Sequence, residues 1–226
     1  MQHFWVVGTD TDVGKTFITT LFMRYLQKQG HKVIPYKPVQ TGEVSDKGRY
    51  YYHDTTSYSD YSLQPLAKEA LNTYSFSIPA SPHYAAELEG ETIKEDRLLK
   101  AIDMLKLDYD TVICEGAGGL YVPLQSDTTL TLLDVIQQSA LPVILVANTK
   151  LGTINHTLLS VEVLKARNID LLGIVFNQFE QSALEKNNVD TIRRFIAVPT
   201  LVIEANRTIE SFDDESVFER LMTHDI

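Results

Sequence analysis

The sequence has a single cysteine, no long apolar run and no surplus of positive charge, and each shortage removes a class of protein. Cys114 stands alone in the apolar stretch "TVICE", so the chain forms no internal disulfide and suits a reducing cytoplasm. No stretch approaches the roughly 20 apolar residues of a membrane-spanning helix, so a membrane is not an expected partner. The start, "MQHFWVVG", lacks the basic opening and long apolar middle of a signal peptide. Twenty Lys and Arg stand against thirty Asp and Glu, a formal charge of −10. Binding a polyanion draws on excess Lys and Arg, so DNA and RNA are excluded as natural partners. A single nucleotide is compatible with that charge, because a few aimed donors hold it. The six histidines show no metal-binding spacing. What is left is an acidic cytoplasmic protein of 226 residues, 44% of them hydrophobic, which suits one nucleotide-binding α/β domain over 1–226.

Strand-like runs alternate with helix-like segments. "HFWVV" (3–7), "KVIPYK" (32–37), "DTVICE" (110–115), "PVILVAN" (142–148), "LLGIVF" (171–176) and "PTLVIE" (199–204) are rich in β-branched and aromatic residues. Most are apolar throughout, as in strands covered on both faces. Between them, residues 15–29 set Ile18, Leu21, Phe22, Tyr25 and Leu26 on one stripe, with Gly30 as a C-terminal stop. Residues 92–107, 153–167 and 182–196 also read as helices. This alternation predicts right-handed crossovers and a doubly wound α/β fold: a mostly parallel open sheet with helices on both faces, as in P-loop NTPases. Residues 42–66 break the rhythm, being polar with five tyrosines and few aliphatics. They are predicted to form a long loop past the second strand, contributing to the ligand crevice.

"GTDTDVGKTF" (8–17) carries the chemistry. It resembles the phosphate-binding pattern G-x-x-x-x-G-K-[ST], with five residues rather than four between Gly8 and Gly14. Backbone N–H groups after a strand end, joined by a helix N-terminus near Gly14, point at phosphates. Lys15 spans the terminal phosphates and Thr16 offers a hydroxyl to Mg²⁺. In a cradle of amides the side chains splay outward, so Asp10 and Asp12 face whatever lies beside the phosphates, either a cationic co-substrate or solvent.

Mg²⁺ takes oxygen ligands and keeps several waters, so one hydroxyl and one or two carboxylates suffice. Glu115, at the end of "TVIC", stands where such NTPases supply a second metal acid, and Asp54 in "YYHDTT" is a third candidate. "GAGG" (116–119) does not complete a dinucleotide fingerprint, and its glycines let a ligand approach the backbone. Lys37, ending the second strand in "PYKPVQTG" with Pro38 locking the chain, is positioned to hold a carboxylate-like or phosphoryl group.

Taken together, "GTDTDVGKT", "YKPVQTG", "EGAGG" and "KLGTINH" resemble the dethiobiotin synthetase family in order and spacing, well over the first roughly 180 residues and poorly in the tail. The resemblance implies that ATP drives carboxylation of 7,8-diaminopelargonate by CO₂ and ring closure through a phosphorylated carbamate. It implies catalytic roles for Lys15 and Lys37 and Mg²⁺ at Thr16, Asp54 and Glu115. Nucleotide contacts are implied along Asp12, Val13, Gly14, Lys15, Thr16 and Phe17, at Asp54, Glu115, Gly116, Ala117 and Gly118, and at Asn177 for the adenine. Diamine contacts are implied at Asp12, Thr41 and Gly118, and at Leu151, Gly152 and Asn155 contributed across a homodimer. The last group also reads as a helix start with Thr153 as its cap. Where the family commonly has a G-x-I-P-like turn over the base, this sequence has Val202 and Ala205, which implies a relaxed nucleotide preference. Two other readings share Lys15, Thr16 and Glu115. A P-loop metabolite kinase does not call for "YKPVQTG" or "KLGTINH". A partitioning-type switch ATPase usually adds a lysine near the loop start, absent from "GTDTDV".

Overall fold

The apolar runs become strands of one central sheet in the computed structural model, which describes residues 3–212 and 216–222. β1 (Phe4–Gly8) runs into α1 (Lys15–Lys28) and β2 (Val33–Thr41). A small antiparallel hairpin, β3 (Val44–Asp46) and β4 (Arg49–Tyr51), leads into α2 (His53–Tyr61). β5 (Asn72–Phe76), α3 (Pro82–Leu88), α4 (Glu95–Asp108) and β6 (Thr111–Glu115) complete the first half. The second half contains α5 (Leu132–Ser139), β7 (Val143–Ala147), α6 (Thr153–Ala166), β8 (Leu171–Phe179), α7 (Ala183–Phe195), β9 (Thr200–Glu204) and α8 (Ser216–Met222).

Seven strands join in the order β5-β2-β6-β1-β7-β8-β9, and every pair is parallel. β1 is central, and the chain winds outward from it in both directions, giving the doubly wound α/β architecture. Alternate residues of the inner strands β1, β6, β7 and β8 feed two separate cores. Trp5 and Val7 pack with α4, α5, α6 and α7, whereas Phe4 and Val6 pack with α1 and α8. Both faces are therefore dry, which is why the central strands show no polar alternation.

Three expectations are corrected. Residues 42–66 are not a long loop: they hold the β3–β4 hairpin and α2. Lys47 (φ 49°) and Gly48 (φ 79°) both take left-handed conformations, the requirement of a two-residue hairpin turn. Lys37 does not end its strand, because β2 continues to Thr41. β2 pairs with β6 up to Tyr36 and with β5 from Lys37 onward. The missing N–H of Pro38 points to the side where β6 has ended, so no ladder bond is lost. Thr153 is the first residue of α6 rather than its cap. Gly152, at φ 96°, caps the helix, and the Thr153 hydroxyl donates to the Asn148 carbonyl at 2.6 Å. β5, α3 and α5 are additions that hydrophobic periodicity did not reveal.

Candidate active site

The C-terminal ends of β1, β2 and β6 meet beside the point where the winding reverses, the usual ligand crevice of an open α/β sheet. After Gly8 the chain turns through residues 9–14, tied to the sheet by the Thr9 amide donating to Val146 O at 2.9 Å. A side chain at Gly8 would place Cβ 2.8 Å from the Asp10 carbonyl and 3.0 Å from Lys15 Nζ. Gly14 sits at φ 91°, where Cβ would come 2.1 Å from Asn177 Nδ2. Only glycine fits either position, so the six-residue offset between them still closes a phosphate-loop turn.

Asn177 pins that turn from behind. Buried at the end of β8, it donates Nδ2 to the Val13 carbonyl at 3.0 Å. Gln178 donates to the Asp12 carbonyl at 3.3 Å. Lys15 lies along the loop and donates Nζ to the Asp10 carbonyl at 2.8 Å. Burial, and then the nearby charge of Lys37, push its pKa down to about 8. The Asp10 carboxylate turns back onto the Thr11 amide at 2.7 Å, while Asp12, exposed at φ 57°, lines the cavity.

Four polar side chains converge on the cavity floor. Lys37 Nζ lies 2.7 Å from Glu115 Oε1, 2.8 Å from Asp54 Oδ2 and 2.9 Å from the Gly116 carbonyl. Burial alone would lower the Lys37 pKa, but Glu115 and Asp54 reverse that and hold it above an ordinary lysine. Burial would likewise raise the Asp54 pKa, and Lys37 with the Thr16 hydroxyl brings it below the usual carboxylate value. Thr16 Oγ1 lies 2.5 Å from Asp54 Oδ1 and 2.9 Å from Glu115 Oε1. One hydroxyl proton serves only one of them, and Glu115 Oε1 is already met by the Lys37 ammonium. Three hard oxygens arranged this way at the lip of a phosphate loop fit Mg²⁺. No group of three or more His, Cys, Asp or Glu suited to a metal exists among the described residues. Such an ion would therefore draw its remaining ligands from nucleotide and water.

The cavity above this floor measures about 530 Å³ and takes in Asp12, Gly14, Lys15, Thr16, Lys37, Thr41, Asp54, Glu115, Ala117 and Gly118. Val13 and Phe17 pack into the α1-side core, leaving only their backbone to the loop. Gly116 contributes its carbonyl to Lys37. Leu151, Gly152 and Asn155 do not join the cavity; all three are exposed, Leu151 at 86%. Residues that sequence reasoning missed also line it: Tyr52 and His53 from the start of α2, Gln40 and Gln178. A neighbouring cleft of about 630 Å³ under the hairpin is larger, but no buried charges converge in it.

The exposed turn before α6 is nonetheless held firmly from below. Asn188 donates to the carbonyls of Thr149 and Lys150 at 2.9 and 3.3 Å, and Thr149 donates to Glu185 at 2.5 Å. Asn188 carries no motif that could have announced this role, whereas Glu185 is legible only as the acid of a capping box with Ser182.

Comparison with known proteins follows the same lines. A family model described as "AAA domain" matches residues 2–209. The ATP-dependent dethiobiotin synthetase BioD of Lysinibacillus sphaericus is 55% identical over 98% of this chain and 97% of its own. The protein of the same name from Halalkalibacterium halodurans is 41% identical over 89% of this chain and 83% of its own. Among solved structures, the Pyrococcus horikoshii septum site-determining protein MinD with Mg-ADP aligns at TM-score 0.56, 17% identity, over 97% of this chain and 93% of its own. The Mycobacterium smegmatis cobyrinic acid a,c-diamide synthase with ADP and magnesium aligns at 0.55, 16% identity, over 98% and 91%. These two share the fold, while the first two share sequence over nearly the whole length: the chain belongs to the ATP-dependent dethiobiotin synthetases, ATP-dependent ligases of biotin biosynthesis.

Proposed function

We propose that this ligase works through the floor of the 530 Å³ cavity, with Lys15 and Lys37 as its two catalytic cations. One amine of 7,8-diaminopelargonate adds to CO₂ and releases a proton, giving a carbamate. A carbamate oxygen attacks the γ-phosphorus of ATP, and the bond to the β-phosphate oxygen breaks as ADP leaves. The second amine then attacks the carbamoyl carbon, expels inorganic phosphate and gives up its proton, closing the ureido ring.

Each step needs positioning and charge neutralisation more than covalent help. The amides of residues 12–17 cradle the phosphates, and the arriving phosphate oxygens hold Lys15 in its charged form against the burial that lowers its pKa. Lys37 neutralises the carbamate oxygens and then the migrating phosphoryl group. Mg²⁺, held by Thr16, Asp54 and Glu115, would supply further positive charge at the phosphate oxygens. Asp12 and Thr41, on the cavity wall, receive the amine end of the diamine, with the Gly118 backbone beside them. Asn177 and the Val202–Ala205 segment border the adenine end.

The same reading makes the enzyme a cytoplasmic homodimer, each 1–226 chain one nucleotide-binding unit. Leu151, Gly152 and Asn155 of one subunit reach the diamine's distant carboxylate in the other. Support comes from their exposure on a braced turn that does not open onto its own cavity.

The observation carrying this proposal is the buried Lys37 ammonium, set between two acids and facing the phosphate loop. A metabolite kinase served by Lys15 does not call for a second cation there, and a partitioning-type switch ATPase would take its further lysine from the loop start, where "GTDTDV" has none. The test is incubation with ATP, Mg²⁺, the diamine and labelled bicarbonate. Acid-stable label in step with ADP formation is the expected outcome. ATP loss without stable label would sink the proposal.

A further inference from the structure

Glu115 is gripped from its far side as well. Tyr58, fully buried, donates its phenol to Glu115 Oε2 at 2.5 Å, while Oε1 takes Lys37 and faces Thr16. With each oxygen engaged by a different element, the carboxylate cannot rotate without breaking a bond. Tyr58 stands four residues after Asp54, so both project from one face of α2. It is also the only buried side chain of that helix. One short polar helix thus delivers one acid and sets the angle of the other.

We propose that Tyr58 is a positioning residue for the cation site. Its phenol fixes Glu115 so that Oε1 points, with Asp54 and Thr16, at the nucleotide's phosphates. The inference rests on the reading of Glu115 and Asp54 as carboxylates facing a nucleotide-bound divalent cation. Tyr58 does not line the cavity and, with no surface exposed, lies out of reach of anything bound there. Outer partners that orient a metal ligand typically govern about ten- to a hundredfold in metal affinity.

Calorimetric ADP binding to the full chain tests this, with Mg²⁺ raised from none to saturation in wild type, Tyr58→Phe and Glu115→Gln. Phenylalanine keeps the ring that seats α2, and melting temperature verifies the seating. Tyr58→Phe is expected to leave metal-free ADP affinity within about twofold and raise the Mg²⁺ midpoint about tenfold. Glu115→Gln is expected to raise that midpoint further. A Tyr58→Phe midpoint equal to wild type, with Glu115→Gln shifted, overturns the positioning role. An unshifted Glu115→Gln overturns the underlying reading of the carboxylates. Equal losses for Tyr58→Phe with and without Mg²⁺ would make the phenol mere packing and also overturn the proposal.

Discussion

On the floor beside the phosphate loop the buried Lys37 and Glu115 already pair with one another in the same chain; at the turn before α6 the backbone is just as firmly braced, but the side chains of Leu151 and Asn155 face outward. Lys37 and Thr16 each lie within 3 Å of a carboxylate oxygen of both Asp54 and Glu115. Around Leu151, by contrast, Glu185 holds the Thr149 hydroxyl and Asn188 the Thr149 and Lys150 carbonyls from beneath, while among the described residues no side-chain bond engages Leu151 or Asn155. The contrast fits a division of labour. Phosphoryl transfer needs a preorganised set of charges, which a single chain supplies on this floor. Recognition of the far end of a substrate needs only a rigid edge, which a second copy can offer.

The largest effect separating the two regions is expected from Lys37→Met. It removes the cation of the floor and leaves Glu115, 1% exposed, without its ammonium partner. Ureido-ring formation should fall about 10²–10³-fold, as when one oxyanion donor is deleted. Stripping one partner from a buried ion pair costs about 3–5 kcal/mol, so melting should drop as well. Lys37→Arg should not rescue turnover, since a planar guanidinium cannot occupy a three-way ammonium site. Turnover within tenfold of wild type would erase the distinction drawn above.

Asn155→Ala should act differently and more gently. Losing a hydrogen bond to a carboxylate raises the diamine KM about ten- to a hundredfold and leaves the ATP KM alone. Mixing it with Lys37→Met should restore activity, because a heterodimer then contains one intact composite site. Loss of ATP binding in parallel, with no recovery on mixing, would mean that each chain serves only its own cavity.

How much of this was legible beforehand depends on what kind of signal each residue leaves. Lys15, Thr16 and Glu115 are readable because they follow apolar strands at fixed offsets, and the strands themselves are apolar on both faces. Lys37 was readable as a residue but misplaced on its strand, since Pro38 normally stops one and here sits where no neighbour needs its N–H. α2 left no stripe: "HDTTSYSDY" buries Tyr58 alone and makes its other contacts through polar groups, so periodicity is silent and Tyr58's bond to Glu115 with it. The missed α5 did carry a sign, a capping box between Thr131 and Asp134 ahead of an apolar run. β5 is an edge strand with only Tyr74 and Phe76 buried, too little to stand out.

A smaller effect probes the brace itself. Burial alone would raise the Glu185 pKa; hydrogen bonds from Thr149, Ser182 and the amides of Glu180 and Ser182 outweigh it and bring it down to about 2. A carboxylate depressed from 4.5 contributes stability that is complete above that pH and is lost as pH falls toward 2. Glu185→Gln should therefore lower the melting temperature at neutral pH and flatten its acid slope between those values. Unchanged slopes would show that the brace lies elsewhere, and the turn before α6 would lose its claim to rigidity.

The smallest expected effect concerns the base, where the chain offers least. Asn177 is 4% exposed and already spends one amide hydrogen on the Val13 carbonyl behind the loop. On the other side, Val202 is half-buried in β9 and the Ala205 amide is turned onto Phe179 O at 3.0 Å. Phosphate contacts are charge-assisted and roughly twice as strong as neutral ones, so they are expected to dominate nucleotide affinity. ATP, CTP and GTP should then differ in kcat/KM by no more than about tenfold, or 1.4 kcal/mol. Replacing Val202 and Ala205 together by Gly and Pro should sharpen the preference for ATP without altering the diamine KM. Strict use of ATP by the unaltered chain would mean that the base is read after all, by groups that close over it only when nucleotide is bound.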